Sequence, residues 1–136
     1  MKRALALGAV IAGLVGLVAC GDKEPNTPQF VRHDWPDSNG SYVVTETGYK
    51  RIFHHNCFSG KCYNSLINNV EGYVFFDNDT DGIVDRITFF RDNRWTLSEP
   101  IDQKKVIYNR KDEGTEVMFD FADTEYPSAK KEMGIQ

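Results

Sequence analysis

The residues 77–85, Asp77-Asn78-Asp79-Thr80-Asp81-Gly82-Ile83-Val84-Asp85, place four carboxylates at relative positions 1, 3, 5 and 9, with a glycine at 6. Four negative charges in one short loop repel each other, and the repulsion grows where water is excluded. A hard divalent cation removes that cost, and calcium takes six to eight oxygens from a loop of this kind. Alternate residues of a tightly curled loop point inward, and Gly82 allows the sharp turn that brings its second half round. The expected ligands of one calcium ion are the side chains of Asp77, Asp79, Asp81 and Asp85, with the backbone carbonyl of Ile83. Asp and Gly are also ordinary turn residues, so without an ion the stretch is a solvated acidic turn. Four aspartates at ligand spacing are more than a turn requires.

The spacing resembles the Asp-x-Asp-x-Asp-Gly-x-x-Asp calcium loops of FG-GAP repeats, thrombospondin type 3 repeats and bacterial extracellular modules. The resemblance covers about a dozen residues and implies ion binding alone. It departs from the helix-flanked EF-hand, whose bidentate glutamate at position 12 is Thr88 here. The flanks, Tyr73 to Phe76 and Ile83 to Phe90, read as strands.

The amino terminus carries a different chemistry. Met1-Lys2-Arg3 is a basic start, followed by an apolar run from Ala4 to Gly16 that is too short to span a bilayer as a stable helix. Leu17-Val18-Ala19-Cys20 then matches the lipobox of bacterial lipoproteins. That resemblance implies cleavage before Cys20, a diacylglycerol on its thiol and acylation of the new amino terminus. Residues 1–19 are thus expected to be a lipoprotein signal peptide, and membrane contact is expected through the lipid. Two or three acyl chains anchor far more firmly than one. The resemblance further implies the cell envelope; with Gly21 rather than aspartate after the cysteine, a Gram-negative host would place the protein on the outer membrane facing the periplasm.

Loss of Lys2 and Arg3 takes the formal net charge from −4 to −6. A chain this acidic lacks the basic face that nucleic-acid binding needs. With Cys20 lipidated, Cys57 and Cys62 remain as an even pair in an oxidising compartment, and a disulfide is expected between them. A zinc site from His54, His55, Cys57 and Cys62 is the competing reading. Consecutive strand residues point to opposite faces, which works against both histidines joining one shell. No Gly-x-Ser-x-Gly, His-Glu-x-x-His or phosphate-cradling glycine loop accompanies His33, His54 or His55, and no catalytic residue is assigned.

The elements that must position these groups are mostly strands. Residues 20–35 read as a lipid-anchored flexible tether, with Pro25 and Pro28 among polar residues, although Phe30, Val31 and Trp35 are apolar enough to dock. Residues 36–136 read as a single β-rich domain. Period-two patterns mark strands at residues 41–45, 49–55, 73–76, 83–91, 93–97, 104–110 and 114–122. The last shows the clearest alternation, with Val117, Phe119 and Phe121 on one side. Residues 62–70 and 127–133 are the helix candidates, the latter with proline early and glycine late. The expected fold is all-β: a small antiparallel sandwich or barrel of about seven strands with a short C-terminal helix. Phe76 and Phe90 each adjoin another phenylalanine, so either an aromatic patch is exposed or both sheet faces are covered. The function that follows is a lipid-anchored envelope protein with one structural calcium, binding an envelope protein or a glycan. The alternatives are a calcium-dependent hydrolase and a purely structural lipoprotein.

Overall fold

A computed structural model describes residues 27–36, 39–90 and 104–135. Seven antiparallel strands form one sheet in the order of the chain: β1 (Phe30–Asp34), β2 (Tyr42–Glu46), β3 (Arg51–Phe58), β4 (Lys61–Asn68), β5 (Tyr73–Asp77), β6 (Arg86–Phe90) and β7 (Lys105–Asn109). A single helix, α1 (Glu116–Glu132), follows. The fold is therefore mostly sheet, and every neighbouring pair of strands is antiparallel. The layer that covers one face of this sheet is the helix rather than a second sheet.

Cross-strand register explains that packing. Val44, Phe53, Leu66, Phe75 and Ile87 stand opposite one another from β2 to β6, so they form one apolar row across the sheet. All five are buried, and Phe119, Ala122, Tyr126, Ala129 and Met133 join them in one core. Those helix residues recur every three or four positions, the period that keeps a stripe on one side of a helix. The opposite face carries its own buried cluster of Val43, Ile52, Ile67, Val74 and Phe90, with Phe76 packed against it. Both faces are thus apolar, and Phe76 and Phe90 do not form an exposed patch.

Three sequence assignments need correction. Residues 114–122 are not a strand: Val117 is 78% exposed while Phe119 and Ala122 are buried, and α1 runs seventeen residues, well beyond a short helix at 127–133. Two overlapping patterns coexist there, and the period of 3.6 wins because it continues to Met133 whereas the alternation stops at Phe121. Pro127 sits inside the helix rather than at its start. Residues 62–68 belong to strand β4 and 69–70 to the turn after it, so the stretch is not helix; Leu66 and Ile67 point to opposite faces and both are buried, so no polar-apolar alternation marks the strand. Phe30–Asp34 pairs with β2 along its whole length, so the sheet begins inside the stretch read as tether. The expected strand at 93–97, the signal peptide and Cys20 lie outside the described residues. Among the described residues, no helix is long and apolar enough to cross a membrane.

The helix end is well defined. Gly134 adopts φ +77°, Ile135 N–H donates to the Lys130 carbonyl at 2.8 Å and Gly134 N–H to Lys131 at 3.1 Å. This is the Schellman arrangement, and the buried Ile135 supplies the apolar contact that accompanies it.

Candidate metal site at the β5–β6 loop

The last residue of β5 is Asp77, and Asp85 immediately precedes β6. Asp85 N–H donates to the Phe76 carbonyl at 2.7 Å, which closes the base of the loop between them. Gly82 at φ +90° makes the tight bend, a conformation that a side chain would strain. Within this loop, single carboxylate oxygens from Asp77, Asp79, Asp81 and Asp85 all lie within 4.8 Å of one another. The four aspartates picked out by spacing are thus brought together in space. Ile83 occupies the same loop, its side chain half exposed and its N–H donating to Asp81 Oδ1 at 2.9 Å.

The carboxylates differ in surroundings. Asp79 and Asp81 are exposed, whereas Asp77 has 0% exposure. Asp77 Oδ2 accepts hydrogen bonds from Gly82 N–H at 3.0 Å and from the Tyr126 hydroxyl at 3.1 Å. Its Oδ1 is buried with no hydrogen-bond partner. A carboxylate oxygen buried without a partner loses the solvation of its charged form, and burial accordingly pushes the Asp77 pKa up. Asp81 responds in the opposite direction: the Ile83 N–H holds its carboxyl below the usual range. Asp85 Oδ2 accepts from Asn78 N–H at 2.8 Å.

This donor set fits a hard cation. It is all oxygen, it offers up to four negative charges, and Asp77, which contributes one of the converging oxygens, has an Oδ1 buried without a hydrogen-bond partner. Soft transition metals prefer nitrogen and sulfur, which the loop lacks.

Two further contacts hold the loop against the helix. Besides the Tyr126 hydroxyl on Asp77, Arg110 donates from Nε to the Val84 carbonyl at 2.7 Å and pairs with both carboxylate oxygens of Asp123. Its guanidinium also lies 4.7 Å from the centre of the Phe119 ring. Sequence reading missed Tyr126 and Arg110. Tyr126 is 49 residues from Asp77 and Arg110 is 26 from Val84, so no local spacing connects them to the loop. Beside the loop, a groove of about 510 Å³ is lined by Asn78, Asp79, Asp85, Asn109, Arg110 and Lys111.

The cysteine cluster resolves differently from the zinc alternative. Cys57 and Cys62 face each other across β3 and β4 with their sulfurs 2.06 Å apart, disulfide distance. Ser59 and Gly60 form the two-residue turn with φ of +53° and +78°, matching the type I′ hairpin geometry. Of the two neighbouring histidines, His55 joins the sulfurs and His54 lies on the opposite face. Burial, helped by the nearby His55, lowers the His54 pKa. His33 on β1 packs edge-on against Trp35, and its register partner Val43 is also the partner of His54, so His33 and His54 share one cross-strand row with β2 between them.

No family model matches the chain, and neither a curated protein nor a solved structure matches it.

Proposed function

We propose that this is a lipid-anchored cell-envelope protein whose β5–β6 loop holds one structural calcium ion and whose domain acts as a binding module. The single observation that carries the metal reading is Asp77. Its carboxylate converges with three others and has an Oδ1 that is buried without a hydrogen-bond partner. Calcium is favoured over magnesium because the ligands come from a flexible all-protein loop, while magnesium keeps most of its waters. Without a bidentate glutamate the affinity is expected on the order of 10⁻⁴ to 10⁻³ M, as in extracellular modules. The lipobox at Leu17-Val18-Ala19-Cys20 supports the anchor and the envelope location.

The ion's role is to set structure. It neutralises the loop, and through Tyr126 and Arg110 the loop's geometry is tied to α1. The adjacent groove offers amides from Asn78 and Asn109, carboxylates from Asp79 and Asp85, and the cations Arg110 and Lys111. That mixture suits a polar partner surface or a glycan of the envelope. The hydrolase alternative asks for a histidine beside a carboxylate; His55 instead meets Asn64 and Cys57.

Equilibrium dialysis in millimolar calcium tests the site. Wild type is expected to take up one ion, and the double variant Asp79→Ala/Asp81→Ala to lose that uptake. Uptake undiminished in the double variant contradicts the assignment.

A further inference from the structure

We propose that the Cys57–Cys62 bond is an exchange-active disulfide, opened by a dithiol that attacks Cys62 while Cys57 leaves toward His55. The geometry separates the two sulfurs. Cys57 is 8% exposed, whereas Cys62 is half-buried beside the exposed turn residues Ser59, Gly60 and Lys61. An incoming nucleophile therefore reaches Cys62 first. Phe58, 78% exposed at the same hairpin tip, gives a redox protein an apolar surface to rest on.

The leaving side is furnished for charge. His55 Nε2 stands 3.3 Å from the Cys57 sulfur, and His55 Nδ1 lies 2.6 Å from Asn64 Oδ1. An amide oxygen only accepts, so Nδ1 carries the proton and the ring is fixed with Nε2 facing sulfur. Cys57, His55 and Asn64 thereby form a thiol–imidazole–amide series of the kind that stabilises thiolates in cysteine nucleophiles. Asn64 stands directly opposite His55 in the β3–β4 register and is itself buried, so the series is held by the sheet. A disulfide serving only as a staple gains nothing from an oriented imidazole on one sulfur.

The exchange balances as follows. One thiol of the dithiol, as thiolate, attacks the Cys62 sulfur; the S–S bond breaks and its electron pair goes to the Cys57 sulfur, which takes a proton that His55 Nε2 accepts from water and passes on. The second thiol, deprotonated, then attacks the reductant's own sulfur in the mixed disulfide. A disulfide forms within the reductant, and the electron pair leaves on Cys62, which is protonated by water. Two electrons pass from the dithiol to the protein.

Two measurements on the full chain test this. With glutathione as a monothiol probe, alkylation and peptide mapping by mass spectrometry should find glutathione on Cys62 and a free thiol on Cys57. Glutathione on Cys57, or equally on both, overturns the proposal, and this readout needs no variant. With dithiothreitol, His55→Ala should be reduced roughly a hundredfold or more slowly than wild type, the scale of a lost general acid. The positioning residue is read from the pH profile of that rate: Asn64→Ala should follow the His55→Ala profile. Rates and profiles indistinguishable from wild type overturn it equally.

Discussion

Asp77 stands where the sheet, the loop and the helix meet, and its two oxygens have different fates. Oδ2 is held by Gly82 and Tyr126, while Oδ1 is buried without a partner. In the metal-free protein this carboxylate is a liability that grows with its ionisation. Because burial raises its folded pKa, its favourable contribution is present below the unfolded value near 3.8 and is lost as pH rises through the folded value. Asp77→Asn keeps an oxygen for Gly82 and Tyr126 and removes the charge. In EDTA at pH 7 the variant should therefore unfold at the same temperature as wild type or higher, with its advantage shrinking as pH falls through the raised folded value toward 3.8. Thermal unfolding across pH checks this, and a variant markedly less stable than wild type in EDTA at pH 7 contradicts it. Tyr126→Phe removes one hydrogen bond to a charged group without changing shape, and should cost about 1.5 to 3 kcal/mol in denaturant unfolding. The convergence of the four aspartates was legible in the sequence because they belong to one short loop and their spacing is counted in single residues. Tyr126 was not, since only the docking of α1 brings it to Asp77.

At the scale of elements, the hairpins were the readable part and the exceptions have physical causes. Strands β2, β3, β5, β6 and β7 lie within or beside the stretches marked by alternation. β4 escaped notice because both of its faces are buried, and a strand covered on both sides loses the polar half of its pattern. The helix escaped because Val117, Phe119 and Phe121 alternate by chance over the first turn and a half, while the stripe that packs, from Phe119 to Met133, is interrupted by charged residues. The turn between β4 and β5 shows how tightly these hairpins are built. The Asn68 side chain accepts from the N–H groups of Val70 and Glu71, and Phe90 N–H donates to the Gly72 carbonyl at 2.9 Å. Gly72 has φ +85°, and a Cβ there would meet the Phe90 carbonyl oxygen at 2.7 Å. Gly72→Ala combines a left-handed conformation, roughly 1–2 kcal/mol, with a clash against backbone. It should lower stability by about 2 kcal/mol or more in denaturant unfolding; a neutral result would mean the turn relaxes freely. Arg51 joins elements in another way, donating to Glu46 at 2.7 Å and to Glu132 at 2.8 Å, so it ties the end of α1 to β3. Its hydrogen bond holds the Glu132 carboxyl below the usual value of 4.5. That contribution is present above the unfolded pKa and is lost as pH falls through the folded one. Arg51→Gln should therefore narrow the loss of stability that wild type shows between pH 5 and lower values, as acid titration followed by circular dichroism would record.

For the molecule as a whole, sheet and helix form one core on one side of the sheet, and the candidate calcium loop sits at the edge of that core. Arg110 and Tyr126 connect the loop to α1, so an ion bound there would act on the packing of the entire layer rather than on a single turn. On the proposed reading, cleavage of the signal leaves a net charge of −6, against which one bound calcium would be a sizeable correction. The lipid anchor, the calcium and the binding role belong to one account in which the domain is held at a membrane and stiffened by an ion. Its central claim is the ion. The most direct measurement is thermal unfolding of the protein in excess EDTA and then in millimolar calcium, with magnesium as the control. At 100 times the dissociation constant, linkage adds about 2.7 kcal/mol, a rise of several degrees for a domain of this size. The account predicts that rise for calcium in wild type and its absence in Asp77→Asn. An unfolding temperature unmoved by calcium in wild type would contradict it and leave residues 77–85 as an acidic turn.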